Sequence, residues 1–176
     1  MKKKTGLVHL YYGDGKGKTT TGMGLCARAA GFGYKVLIYQ FMKDNKTCER
    51  EVLTLSENIT LVAGLDKEKF SYALSEKERQ ERLDFYLSQF KKVTEMAEEG
   101  CDVLFLDEII YTIQVGLLQE EVLLEYLENK PEHLEIILTG NGPSENLIVA
   151  ADYVSEIKKI KHPYDKGQPA RKGIEF

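Results

Sequence analysis

The sequence predicts an α/β fold: a single-domain P-loop nucleotide-binding fold, with a mostly parallel sheet and helices on both faces. Three observations carry that reading. Short apolar runs of strand length at 36–41, 103–106 and 136–138, the last two apolar throughout, are separated by segments of helical periodicity. A glycine-rich stretch follows the first strand-like run and leads directly into a helical one. Strands that are apolar throughout, and not alternating, need cover on both faces, as parallel sheets have. The chain has 176 residues, no repeat with a period of about 20–50 residues and no visible linker, so one domain over 1–176 is expected.

Residues 7–12 read as the first strand and 19–30 as a helix closed by Gly31-Phe32-Gly33. A second strand is expected at 36–41 and a shorter one at 59–62. Over 75–99 the pattern is helical, with Leu83, Tyr86, Leu87, Phe90, Val93 and Ala97 on one face. Strands at 103–106 and 136–138 follow, with shorter helices at 119–129 and 144–151 and a last strand within 152–160. Residues 42–58 and 63–74 lack a clear period and are expected to be loops. Arg28 is the one charge between Thr19 and Tyr34, which predicts a buried helix. It stands about 15 Å up that helix from Lys18, so it is left out of the site.

Composition removes several function classes. With 43% hydrophobic and 30% charged residues, 15 Gly and 4 Pro, the chain is neither disordered nor fibrous. No apolar run is long enough to cross a bilayer, and Lys2–Lys4 lead into a strand-like run and not a signal sequence, so a cytoplasmic location without membrane contact is expected. Cys26, Cys48 and Cys101 show no CxxC spacing and read as reduced thiols. A net charge of −4 argues against nucleic-acid binding. Residues 158–172 nevertheless carry six basic side chains against Asp165 alone, a net +5. They read either as a solvated tail or as a positive rim beside an anionic ligand or partner. His9, His133 and His162 are dispersed, without metal or triad spacing.

The chemistry concentrates in Gly13-Asp14-Gly15-Lys16-Gly17-Lys18-Thr19-Thr20, set between the first strand and its helix. Glycines let successive backbone N–H groups turn toward an anion, and the helix N-terminus adds roughly half a positive charge there. Lys18 would bring a mobile full charge to phosphates, and the Thr19 hydroxyl would face a magnesium ion. The spacing is shorter than the usual GxxxxGK[ST], because only three residues separate Gly13 from Gly17.

The apolar run 103–106 ends in Asp107-Glu108, the acidic complement that a phosphate loop needs to hold magnesium directly or through water. Two other strands end in Gln40-Phe41 and in Thr139-Gly140-Asn141-Gly142. Ligands of open α/β sheets sit beyond the carboxyl ends of the strands, so these ends mark one edge as the site. Gln40 and Asn141 are each either ligand contacts or loop caps. Asn129-Lys130-Pro131-Glu132 is similar to a guanine-reading box but follows a helical pattern and reads as a loop.

Taken together, these pieces resemble the P-loop ATP:corrinoid adenosyltransferases. The GDGKGKTT loop is similar to that family's GNGKGKTT, including the short spacing. Ala27 to Gly33 resembles its ARAxGxG segment, Gln40-Phe41 its strand-ending QF pair, Leu106-Asp107-Glu108 its LDE, and Thr139 to Gly142 its TGxG. Lys161-His162-Pro163-Tyr164 and Gly173-Ile174-Glu175-Phe176 resemble its KHPF and GIEF patterns.

The resemblance implies transfer of the 5′-deoxyadenosyl group of ATP to Co(I) of a corrinoid, with release of triphosphate, in adenosylcobalamin biosynthesis or salvage. It implies ATP lying reversed in the loop relative to kinases, Mg2+ held by Thr19, Asp107 and Glu108, and Lys18 and Glu108 as catalytic groups. ATP would contact Gly13, Asp14, Gly15, Lys16, Gly17, Lys18, Thr19 and Thr20, and the corrinoid Gln40, Phe41, Phe70, Tyr72 and Asn141. A flavoprotein electron donor and a homodimer are the expected partners. This chain departs from the family in having twelve residues before Gly13, where fuller members carry an upstream helix, and in continuing Gln40-Phe41 as Met42-Lys43-Asp44. It also lacks Trp, so that Phe70-Ser71-Tyr72 is the nearest counterpart of the family's corrin-facing FTW. Another P-loop ATP hydrolase or kinase, with Glu108 as base, and a non-catalytic nucleotide-binding module are the competing readings.

Overall fold

The computed structural model describes residues 6–67 and 71–175. Six strands form one sheet in the order β3-β2-β4-β5-β1-β6, where β1 is Val8–Tyr12, β2 Val36–Gln40, β3 Ile59–Leu61, β4 Val103–Asp107, β5 Glu135–Gly140 and β6 Tyr153–Glu156. Every neighbouring pair is parallel. All six carboxyl ends therefore lie along one edge, as the apolar strand pattern predicts.

The period-two alternation of each strand divides the core into two layers. On one face Met23, Cys26, Ala29 and Ala30 of α1 (Lys18–Phe32) pack on Val36, Ile38, Val103, Phe105 and Ile137. Helix and sheet are close at Gly22, where a Cβ would come within 2.3 Å of the Phe105 ring. On the other face Leu10, Leu37, Tyr39, Leu104, Leu106, Ile136 and Leu138 meet α3 (Glu76–Gly100) and the helices that follow β4. Ser75 caps α3 in a reciprocal capping box with Glu78. Tyr86, Phe90, Val93 and Ala97 form its buried stripe, as the helical period requires.

Three features differ from expectation. The helix α1 is half exposed, because its outer face is built from Thr20, Thr21, Gly24 and Ala27 beside the exposed Arg28. Small uncharged residues tolerate water, so scarcity of charge does not imply burial. Residues 42–58 contain a short helix, α2 (Glu49–Leu53). A helix α4 (Ile109–Gln114) follows β4 at once, where no helix is expected; Ile109, Ile110 and Thr112 are buried in it. Its sequence is β-branched and apolar, and packing overrides that weak local preference. Helices α5 (Glu120–Asn129) and α6 (Glu145–Ala150) and the edge strand β6 lie within the predicted bounds. Among the described residues no helix is long and apolar enough to cross a membrane.

The histidine nearest the sheet is structural: His9 Nε2 lies 2.5 Å from Glu135 Oε1, and its ring stacks on Tyr153 with centroids 4.5 Å apart. Cys26, Cys48 and Cys101 are free thiols, and burial pushes the Cys26 thiol far up.

Candidate active site

The phosphate loop spans the gap between β1 and α1 and is braced from behind by the segment after β6. The N–H of Ile157 donates to the Tyr12 carbonyl at 2.7 Å, and that of Gly15 donates to the Ile157 carbonyl at 2.8 Å. Gly13 has φ 122°, and a Cβ there would lie 2.4 Å from the Ile157 oxygen, so both conformation and space exclude a side chain. The N–H of Lys159 donates to Asp14 Oδ1 at 2.8 Å. This bond holds the Asp14 carboxyl below its ordinary range.

A second brace comes from the C-terminal turn. Lys16 Nζ donates to Glu175 Oε1 at 3.2 Å, and Arg171 Nη2 donates to the same oxygen at 2.9 Å. The Arg171 bonds, helped by Lys16, lower the Glu175 carboxyl to about 2. Lys18 Nζ rests on the Gly15 carbonyl at 3.0 Å, on the loop it is expected to serve.

Asp107 is the hub. It is fully buried at the end of β4, one strand away from β1, and four donors meet its carboxylate. Thr19 Oγ1 donates to Oδ1 at 2.9 Å and Thr139 Oγ1 donates to the same oxygen at 2.7 Å. Lys43 Nζ donates to Oδ2 at 2.6 Å and Gln40 Nε2 at 3.1 Å. Lys43 also donates to Thr19 Oγ1 at 2.8 Å, closing a triangle at the start of α1.

The neighbouring Glu108 adopts φ 61°, uncommon for a side chain of its size. The N–H of Glu108 donates to Thr139 Oγ1 at 2.9 Å. Burial, and then the Asp107 charge, raise its carboxyl above the usual range, against the opposing pull of Lys43 and Lys18.

This donor set suits a hard cation. Oxygen atoms of Thr19 and Asp107 converge on one point with Glu108 adjacent in sequence, and an ammonium already sits there. No group of three His, Cys, Asp or Glu side chains gathers among the described residues. A magnesium ion here would therefore take further ligands from water and phosphate, as magnesium at phosphate sites usually does.

Two clefts flank the loop. One, of about 580 Å3, is lined by Thr19, Thr20, Met23, Lys43, Cys48 and Ile174, among others. The other, of about 510 Å3, runs past Tyr12, Gly13, Asn141, Glu156 and Lys158.

Of the five expected corrinoid contacts, the four among the described residues are not brought together. Gln40 is buried: Thr47 Oγ1 and Arg50 Nη1 donate to its carbonyl at 3.1 and 3.3 Å, and it donates to Asp107 and Glu49. Phe41 is a fully buried packing residue, edge-on to Tyr39 at 4.7 Å. Tyr72 is 84% exposed, and Asn141 lies on the second cleft, where its Oδ1 accepts from the Gly142 N–H. Phe70 lies outside the described residues.

Two residues with evident roles, Lys43 and Thr139, are absent from the sequence-derived set. Both stand just beyond or at the carboxyl end of a strand, the position that marks Gln40 and Asn141 as candidates. The basic segment is partly neutralised by its own acids and neighbours: Lys158 pairs with Glu156 at 3.0 Å and Lys159 with Asp165 at 3.0 Å.

The chain is similar to known proteins over nearly its whole length. Residues 4–176 match the family described as ATP:corrinoid adenosyltransferase BtuR/CobO/CobP. The corrinoid adenosyltransferase CobA of Salmonella typhimurium is 30% identical over 99% of this chain and 88% of its own length. The corrinoid adenosyltransferase of Escherichia coli (strain K12) is 30% identical over 97% of this chain and 86% of its own. That of Pseudomonas aeruginosa is 27% identical over 99% and 86%.

Proposed function

This chain belongs to the ATP:corrinoid adenosyltransferase family, and we propose that its phosphate loop and the Asp107 hub carry the transfer of a 5′-deoxyadenosyl group from ATP to a reduced corrinoid. The observation that supports this most is the Thr19–Asp107–Lys43 triangle, set beside the glycine-rich loop at the N-terminus of α1. It is a place for phosphate charge and its counter-ion, and no side chain of the triangle acts as a nucleophile.

None is needed. The Co(I) centre of the corrinoid substrate supplies an electron pair to C5′ of ATP and becomes Co(III) as the cobalt–carbon bond forms. The C5′–O bond breaks and its electron pair leaves with triphosphate. The protein contributes position and electrostatics. Residues 13–20 cradle the triphosphate, with N–H groups near the helix start directed at the oxygens where charge grows. Lys18 exchanges the Gly15 carbonyl for a phosphate oxygen. Thr19 and Asp107, with Glu108 alongside, would hold magnesium, which when bound offsets the charge of the leaving triphosphate.

Of the corrinoid-contact candidates among the described residues, Tyr72 and Asn141 have the exposure that a ligand contact requires. Gln40 acts indirectly by orienting Asp107. A homodimer in the cytoplasm, supplied with electrons by a flavoprotein, completes the proposal.

The deciding experiment incubates the protein with ATP, magnesium and chemically reduced cobalamin. A light-sensitive cobalt–carbon product formed in step with triphosphate supports the reading. Release of ADP without a corrinoid product would assign the site to phosphoryl transfer instead.

A further inference from the structure

The Asp107 carboxylate can accept about four hydrogen bonds, and it already accepts four, from Thr19, Thr139, Lys43 and Gln40. A divalent cation that binds this oxygen set must therefore displace a donor. The four are not equally movable. Thr139 and Gln40 are buried on strands, and Thr19 is fixed in the first turn of α1. Lys43 stands in the loop after β2 on a flexible stem, its side chain 23% exposed, and it lines the 580 Å3 cleft beside Thr19. Its ammonium also bridges the two atoms, Thr19 Oγ1 and Asp107 Oδ2, that face the cation position.

We propose that Lys43 is a built-in counter-cation, a positioning residue whose ammonium holds the metal position between Thr19 and Asp107 and yields it only to magnesium arriving with the triphosphate. The inference rests on the magnesium reading of Thr19 and Asp107 given above. The displaced ammonium stays tethered at the cleft, where phosphate oxygens offer it new acceptors. Without those acceptors a free divalent cation must strip Asp107 of its partner and leave the ammonium uncompensated. Cation binding thus becomes conditional on the nucleotide, and the buried Asp107 charge is not left unpaired between turnovers, a state that is strongly destabilising.

The test is Mn2+ binding, read by the paramagnetic signal of the free ion, to the wild-type chain and to Lys43→Met, Lys43→Gln and Asp107→Asn. Without nucleotide, both Lys43 variants should bind Mn2+ at least tenfold more tightly than wild type, and Mn2+ alone should raise their melting temperatures but not that of wild type. Should Lys43→Met fold only when Mn2+ is present, that too supports the proposal. Equal Mn2+ affinity in wild type and both Lys43 variants, with Asp107→Asn losing Mn2+ in the presence of ATP, overturns the counter-cation role and leaves the metal site standing. Wild-type Mn2+ binding by Asp107→Asn with ATP overturns the metal reading itself. Failure of both Lys43 variants to fold even with Mn2+ makes the lysine an obligatory structural partner and also overturns the proposal.

Discussion

Thr139, at the end of β5, donates its hydroxyl to Oδ1 of Asp107 at the end of β4 across 2.7 Å, and both side chains are fully buried. The same hydroxyl accepts from the Glu108 N–H, so one side chain orients both acids. Thr139→Val keeps the shape and removes the hydroxyl, leaving a part-buried N–H and one buried carboxylate oxygen each a partner short. The expected loss of stability is about 1–3 kcal/mol, read by urea unfolding, together with a higher magnesium requirement for turnover. Thr139→Ser should recover most of both. If the valine variant keeps wild-type stability and wild-type magnesium dependence, the threonine does not orient the acids.

Lys18 makes its hydrogen bond to the Gly15 carbonyl in a half-exposed setting. Lys18→Ala should therefore leave the urea midpoint nearly unchanged, within about 0.5 kcal/mol in stability. Turnover should fall by the equivalent of about 3 kcal/mol or more, the scale of losing a preorganised donor to developing charge. A variant that unfolds, or one that turns over normally, would remove Lys18 from the triphosphate site.

The clamp between the C-terminal turn and the phosphate loop has a definite pH sense. Glu175 has its carboxyl lowered from 4.5 to about 2, chiefly by Arg171. A group depressed in the folded state stabilises above its unfolded value and loses that contribution as pH falls through the folded one. The clamp should thus be intact above pH 4.5 and release as pH falls toward about 2. Because the group is exposed, the gain is small and screened by salt. Protection from amide hydrogen exchange at Arg171 and Glu175, whose side chains and backbone share these bonds, should fall over that window once each rate is divided by the intrinsic rate at the same pH, and Glu175→Gln should show the lower protection already at neutral pH. Equal protection in both proteins at neutral pH would separate the turn from the ion pair.

The central strands are legible because each is an apolar run of strand length, the long helices because each obeys one period from end to end, and the phosphate loop because its glycines stand between a strand and a helix. The pairing of Thr19 with Asp107 is legible too, since each ends or begins an element at the same sheet edge. Lys43, Thr139 and the buried role of Gln40 are not. Their meaning depends on strand order: β5 lies between β1 and β4, and β2 lies beyond β4. Only that order places Thr139 and Gln40 on opposite sides of Asp107. Phe41 illustrates the same limit, because a strand-end aromatic reads equally as ligand contact or core. The decision comes from Tyr39 and Tyr86, which enclose it. The short helices α2 and α4 escape notice because tertiary packing, more than local propensity, holds them.

Residues 158–172 flank the phosphate loop, tied to it through Ile157, the Lys159 N–H and Asp14. Two of their lysines are paired with Glu156 and Asp165, so the field they project is weaker than the sequence charge of the segment implies. We propose this segment as the docking surface of an acidic flavoprotein reductant, drawn to it over about 8–10 Å at physiological salt with a raised association rate. Replacing Lys158, Lys159 and Lys161 together with Gln should slow only the assay in which a reduced flavoprotein supplies the electrons, and should flatten its salt dependence. The assay with chemically reduced corrinoid bypasses docking and should be little changed. The bond to the Asp14 carboxylate is donated by the backbone N–H of Lys159 and survives the substitution, so the loop keeps its brace in the variant. Equal losses in both assays would place these lysines at the triphosphate or in the fold, and the docking surface would then have to be sought elsewhere.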